Sequence, residues 1–586
     1  MSWADTIANN DNLRPADQVM QLDRLGSMFA SRLSFARSLV RKMIKEHWQI
    51  NNTVFDLNDQ GHGTAIYRIT TPQGRYHCVI FCRELSADQR SDRVIAEAWD
   101  VTFAVVEGDV EETLLQQMAD NVPLQEAGRQ PPRVLVLSRA NKSLRNFSQF
   151  TAALAAGEQP DPAALTAVGY LYRTTAVYGN GKFGIADFAR LERNPDFSRP
   201  FSAQMLAVYV LRQFSIEQLN HLAKVQAPDT AVKLAPELQR YLGVGNSTGL
   251  GMAPFLINHP QLIQQWIHSR ERALACARLQ PASAKCRSKM LALMIRAHRY
   301  LQQTVTEDPA QTLRNRNIVQ SVQETIDWLE RTPAHPALYR ELTDWADENS
   351  SIEAQELINT VLIEMYPELV DSLDDELGCH ETMDLQPDMK ARKLKELIEQ
   401  SFDWALTYRE ESAEDNYWFW YRSAEKEEPR LGIRAEESGS EKETALAIGP
   451  RISRCHTLLL EFVQNNPNAM VVEFLMAHPK QKEIVRRIQT MAPTPYGEIR
   501  ANLWHRDMKP MHLLRTKLSF FGAGRFDPKS DRWVRITLFQ GAPLGVELTN
   551  PALSLDQLDD WSFPLEPERQ PERQPLLQQG KQAEAQ

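Results

Sequence analysis

Apolar positions along the chain change period several times, and each change marks an element. Between 15 and 48, Met20, Leu22, Leu25, Met28, Phe29, Leu33, Phe35, Leu39, Val40 and Met43 recur at three- and four-residue spacings, which predicts helix. Arg32, Arg37, Arg41, Lys42 and Lys45 fall on its other face and read as a solvated basic surface. The period then drops to two. Residues 64–69 and 76–82 flank Thr71-Pro72-Gln73-Gly74 and predict a β-hairpin. Further strands are predicted at 101–107 and 133–138, with a helix at 110–121 between them. Helical periods return at 205–222, 231–242 and 262–277, the last with Pro260 at its first position after Asn258 or His259. They continue at 288–305 and 314–331 until Ala334-His335-Pro336 breaks the pattern, and residues 337–409 are helical and acidic. Near the end, helices are predicted at 453–465, 470–477 and 480–491. Residues 517–522 and 533–539 read as paired strands around a turn at 526–531.

The expected class is α+β, predominantly helical. An N-terminal helical segment (1–49) precedes a small N-terminal α/β sheet layer (50–144), a central helical domain with glycine-rich loops (145–335) and an acidic helical segment (336–410). A C-terminal α+β unit (411–550) carries a basic β-hairpin containing Arg515, Lys517, Arg525, Lys529, Arg532 and Arg535, and 551–586 reads as a disordered tail. A length of 586 residues allows about two to four domains.

Charge and cysteine usage narrow the function classes. The net charge of −10 and pI near 5.8 argue against a broad nucleic-acid surface. The start of the chain carries no signal-peptide pattern and no apolar run reaches membrane-spanning length, so a cytoplasmic protein without membrane contact is expected. Cys78 and Cys82 share a CxxxC spacing on a predicted strand, without the second pair a metal site would want, so they read as buried small hydrophobes and no metal is expected. No motif identifies a cofactor, and a homo-oligomer is compatible with the sequence.

Polar loops carry the candidate chemistry. The stretch from Gly243 to Pro254 packs Gly243, Gly245, Gly249 and Gly251 around Asn246, Ser247 and Thr248. Between two predicted helices it reads as a nest of backbone N–H groups suited to an anion, or as a tight helix crossing. Gly243-Val244-Gly245-Asn246-Ser247-Thr248 lacks the third glycine and the preceding strand of a dinucleotide fingerprint. Gly249-Leu250-Gly251-Met252-Ala253 resembles, over five residues, the glycine-rich phosphate loop of small-molecule kinases of the galactokinase and homoserine kinase type. Met252 and Ala253 stand where that family has serines, and nothing is carried over from it. Arg139, Asn141 and Lys142 follow a predicted strand, where α/β folds place ligands. Arg173 precedes a second glycine-rich loop holding Tyr178, Asn180 and Lys182.

Together these loops suit a small anionic metabolite, a carboxylate or phosphate ester. Arg139, Asn141, Lys142, Arg173, Asn180, Asn246, Ser247, Thr248, Gly249 and Gly251 are the expected binding residues. Lys182, Tyr178 and His505 are the expected acid–base groups, in lyase-like proton transfer ahead of transferase chemistry. The rival reading is a non-catalytic ligand-binding or scaffold protein. Its partner surfaces would be the basic hairpin and the aromatic run Tyr417-Trp418-Phe419-Trp420-Tyr421, which cannot all face one core. The two readings separate on whether Lys142, Lys182 and Asn246 surround one pocket.

Overall fold

A mixed sheet runs through the protein and gathers strands from almost its whole length. The computed structural model describes residues 12–85, 98–124, 130–176, 185–186, 188–191, 193–249, 259–374, 377, 383–406, 418–423, 429–433, 440–443, 448–500, 511–528 and 533–568. The sheet strands are β1 (Gln49–Leu57), β2 (Gly63–Thr70), β3 (Arg75–Cys82), β4 (Val101–Glu107), β5 (Val134–Lys142), β6 (Tyr170–Thr174), β7 (Ile185–Ala186) and β8 (Gly243–Gly249). A separate three-stranded sheet is formed by β9 (Trp418–Ser423), β10 (Pro429–Ile433) and β11 (Ser440–Glu443), and β12 (Ala523–Pro528) and β13 (Trp533–Leu538) complete the first. The spatial order is β1-β2-β3-β4-β5-β6-β8-β13-β12, with β7 also pairing β5. Among these pairs only β6 and β8 are parallel. The class is therefore α+β, as expected.

The hairpin of β2 and β3 forms around the predicted turn, closed by Thr71 N–H donating to Gly74 O at 2.9 Å, although β3 is buried on both faces and not on alternate ones. Strand β4 occupies the predicted residues, and the helix after it spans Glu112–Asn121. Three expectations fail, the first two because long-range pairing overrides local composition. Strand β5 continues through Arg139, Asn141 and Lys142, because Ala140, Asn141 and Lys142 pair with Thr174, Arg173 and Tyr172 of β6. Residues 243–249 form no nest: they are β8, laddered to β6 on one side and β13 on the other. Residues 517–522 are no strand either, since Met511–Phe521 is a helix whose Leu513, Leu514, Phe520 and Phe521 are buried on one side. It ends at Gly522, whose φ of +81° suits glycine. The hairpin partner of β13 is instead β12, which contains residues assigned to the turn.

The glycines of β8 serve close approach. A Cβ at Gly243 would lie 2.3 Å from the Leu538 carbonyl oxygen, and one at Gly245 would lie 2.5 Å from the Tyr170 ring. The helix Ser202–Gln226 packs against the sheet and is buried along most of its length. Its Arg212 donates to five backbone carbonyls, those of Leu242, Gln239, Arg240, Ala542 and Pro543, which ties the helix to the start of β8 and the turn after β13. Burial lowers its pKa to about 10, which still leaves it charged at neutral pH.

The N-terminal basic face is not solvated. The expected long helix is broken into Ala16–Val19, Leu22–Leu25 and Phe35–Lys45, and Arg32, Arg37 and Arg41 are buried. Arg32 and Arg41 pair with Asp559, and Arg37 pairs with Glu364 at 3.2 Å and with Asp559 at 3.2 Å. The stretch from 551, expected as a disordered tail, begins as packed chain: the helix Leu555–Leu558 is followed by buried Asp559, Trp561 and Phe563.

A second core lies among Pro260–Arg278, Ala284–Gln303, Pro309–Arg331, Leu338–Asn349, Ile352–Glu364 and Pro367–Asp374, helices that follow the predicted periods. Next to it sits a buried ionic cluster. Glu356 accepts from Arg14 (2.6 Å), Arg24 (2.9 Å) and Arg270 (2.8 Å), while Glu271 accepts two bonds from Arg14, both 2.7 Å. The helices Ile448–Asn465, Val471–Ala477 and Lys482–Met491 also match their predicted periods. Among the described residues no helix is long and apolar enough to cross a membrane.

Candidate anion-binding site

Register places a row of polar residues across five neighbouring strands. Asn141 of β5 pairs with Arg173 of β6, Arg173 with Gly245 of β8, Gly245 with Thr537 of β13, and Thr537 with Arg525 of β12. One step along, Ser247 pairs with Arg535 and Arg535 with Asp527. Directly paired positions share a face, so both rows face the same side. Arg139, two residues before Asn141, belongs to that side as well.

The floor of the site is Gly245, with the ring of Tyr170 above it. The Arg535 guanidinium lies 5.9 Å from the centre of that ring. Arg525 Nη2 and Arg535 Nη1 approach the same Asp527 oxygen at 3.7 Å and 3.8 Å. Four guanidinium groups, those of Arg139, Arg173, Arg525 and Arg535, thus share a face with one carboxylate of the row. Burial raises the Tyr170 hydroxyl pKa, opposed by Arg535, Arg173 and Arg525, with Asp527 adding to the rise. Tyr170 therefore stays protonated at neutral pH and can donate a hydrogen bond. At the far end, the Arg139 guanidinium stacks 4.2 Å over Trp99, and Asn141 Oδ1 accepts from Asp100 N–H at 3.0 Å. The Arg525 side chain is 10 % exposed and that of Arg535 19 %. Such guanidinium groups are only partly hydrated and interact with an anion more strongly than surface charges do.

The structure brings together only part of the predicted set. Arg139, Asn141 and Arg173 share the face, and β8 supplies Gly245 and the Ser247 position. Lys142 pairs with Tyr172 and lies on the opposite side, its ammonium 5.4 Å from the Phe147 ring centre. Asn246 pairs with Ile536, is fully buried, and also faces away. Thr248 pairs with Val534, and Gly249 is the last residue of β8. Lys182, Tyr178, Asn180, Gly251 and His505 lie outside the described residues, as do Tyr417 and the rest of the kinase-like pentapeptide after Gly249.

Sequence reasoning missed Tyr170 and Asp527, and it found Arg525 and Arg535 only as bulk charge. The available signal was alternation: Arg525 with Asp527, and Arg535 with Thr537, stand two apart and share a strand face. Cys78 and Cys82 are buried free thiols, with Cys82 pushed up to about 12 by burial. Among the described residues no group of His, Cys, Asp and Glu could hold a metal ion. No protein family, curated protein or solved structure was found to match the chain.

Proposed function

We propose that the arginine row binds a small anionic metabolite, a phosphate ester or polycarboxylate, and that the protein is a cytoplasmic enzyme acting on it. The observation that carries this reading is the convergence of Arg173, Arg525 and Arg535 on Tyr170 over a floor cleared by Gly245. Guanidinium forks match the paired oxygens of carboxylate and phosphate, and a protonated tyrosine beside them adds a neutral donor. Lys182, Tyr178 and His505, the residues expected to transfer protons, lie outside the described residues, so the binding step is the part to test first.

Calorimetric titration with pyrophosphate and with citrate provides that test. One of them binds the wild-type protein, and binding weakens as ionic strength rises. Arg535→Met and Arg173→Met each weaken it roughly tenfold or more, the scale of a hydrogen bond to a charged group. Absence of binding to folded wild type, or unchanged affinity in both variants, overturns the reading.

A further inference from the structure

A cavity lies beside β12, lined in part by Gly524 and Phe526, the neighbours of Arg525. It has a volume of 110 Å³ and sits between residues 26–30, the helices Ala284–Gln303 and Pro309–Arg331, the helix Met511–Phe521 and the segment around Trp561. One wall is apolar and largely aromatic, with Phe29, Ile318, Leu518, Phe526, Trp561 and Phe563.

Interleaved with these side chains is a hydrogen-bonded chain whose polarity is fixed by its first member. Arg515 Nη2 donates to Gln311 Oε1 at 2.5 Å. Arginine can only donate, so the Gln311 atom facing it is oxygen and its amide nitrogen faces the other way. Gln311 Nε2 donates in turn to Asn315 Oδ1 at 2.7 Å, which leaves Asn315 presenting its own Nδ2. Both ends of the chain therefore present donors. Arg515 Nε and Asn315 Nδ2 are buried and have no hydrogen-bond partner among the described residues. Two unpartnered buried donors on residues that line the cavity carry a desolvation cost, which an acceptor would relieve.

Charge agrees with the donor count. Arg314 and Glu353, which also line the cavity, pair with each other. Arg37 is tied to Glu364 and Asp559. Among the described residues no carboxylate lies within ion-pair distance of Arg515, whose guanidinium is 5.2 Å from the Phe526 ring centre. Burial lowers its pKa to about 9, with Arg314 adding to the effect and Glu353 and Asp308 opposing it, so it remains cationic at neutral pH.

We infer that this cavity binds a monocarboxylate with a small apolar body, its carboxylate received by Arg515 and Asn315 and its hydrocarbon set against the aromatic wall. A dry cavity of about 150 Å³ accepts the six carbons of benzene, so 110 Å³ suits an apolar body of about four carbons. This site is independent of the arginine row.

Saturation-transfer NMR titration with isovalerate, and with isovaleramide as its neutral isostere, tests the inference. Isovalerate should bind saturably and the amide roughly tenfold more weakly or worse. Arg515→Met keeps the apolar stem and should lower isovalerate affinity by at least that factor. Asn315→Asp, near-isosteric, turns a donor into a carboxylate and should lower it too, and it carries the test alone if Arg515→Met does not fold. Arg535→Met should leave isovalerate binding unchanged, so failure of the metabolite site and failure of this one are distinguishable. Equal binding of the amide, unchanged affinity in Asn315→Asp, or no isovalerate binding to folded wild type overturns the inference.

Discussion

Replacing Glu356 by Gln tests the account of the buried ionic cluster most directly. Glu356 is fully buried and accepts from Arg14, Arg24 and Arg270. Three arginines face two glutamates there, so Glu356→Gln leaves Glu271 alone against three cations. The new amide also turns an NH₂ group toward guanidinium donors. Breaking a buried pair from one side costs about 3–5 kcal/mol, mostly from the charge left uncompensated. Urea denaturation followed by circular dichroism and tryptophan fluorescence measures the loss. The acid dependence adds a second check. Burial alone would raise the Glu356 carboxyl, but Arg14, Arg270 and Arg24 outweigh it and hold the pKa far below the ordinary range. A depressed carboxylate stabilises fully above its unfolded pKa of about 4.3, and that contribution is lost as pH falls toward the folded value. The gap between wild type and Glu356→Gln should therefore be widest above about pH 5 and narrow as pH falls below about 4. A loss under about 1 kcal/mol at neutral pH, typical of exposed pairs, or a gap independent of pH, would refute the argument.

Gly243→Ala pushes a methyl against the Leu538 carbonyl, which belongs to a paired strand and cannot swing aside, so a loss of about 1–3 kcal/mol is expected in thermal unfolding. Gly74→Ala, where the nearest atom is 3.8 Å away, should stay within about 0.5 kcal/mol. Arg212→Met strips five carbonyls of their donor and should cost about 3 kcal/mol or more in denaturant titrations, while a surface-like effect would contradict its role as a clamp. Among the described cysteines, Cys286 should be alkylated first by iodoacetamide, because its hydrogen bond with Ser283 lowers its pKa while burial raises those of Cys78, Cys82 and Cys455. Peptide mapping by mass spectrometry reads the order, and earlier labelling of Cys78 or Cys455 would contradict it.

Elements stabilised by their own burial pattern were legible in the chain. Strand β4 and the helix Pro260–Arg278 fell where a short apolar run and the proline at the helix start placed them. Elements whose partners lie far away were not. Gly243 through Gly249 have loop composition, and only β6 and β13 make a strand of them. Arg32, Arg37 and Arg41 look solvated until Asp559 and Glu364 are seen beside them. The site followed the same division. Arg139, Asn141 and Arg173 were identifiable as residues, and the basic hairpin as a charge cluster. What joins them is the register of β8 with β13, a relation between segments that periodicity does not contain.

The composition that disguises β8 also bears on how the chain is made. During synthesis from the N-terminus, β8 emerges well before β13, and Arg41 precedes its partner Asp559 by 518 residues. Until then the nascent sheet ends in an open edge, the kind of surface that invites pairing with another chain. Glycines, Asn246, Ser247 and Thr248 make that edge a poor template for aggregation, since such pairing favours apolar, β-branched runs. The same residues that leave room above the strand for Tyr170 also let it wait, unpaired, for the far end of the protein to arrive.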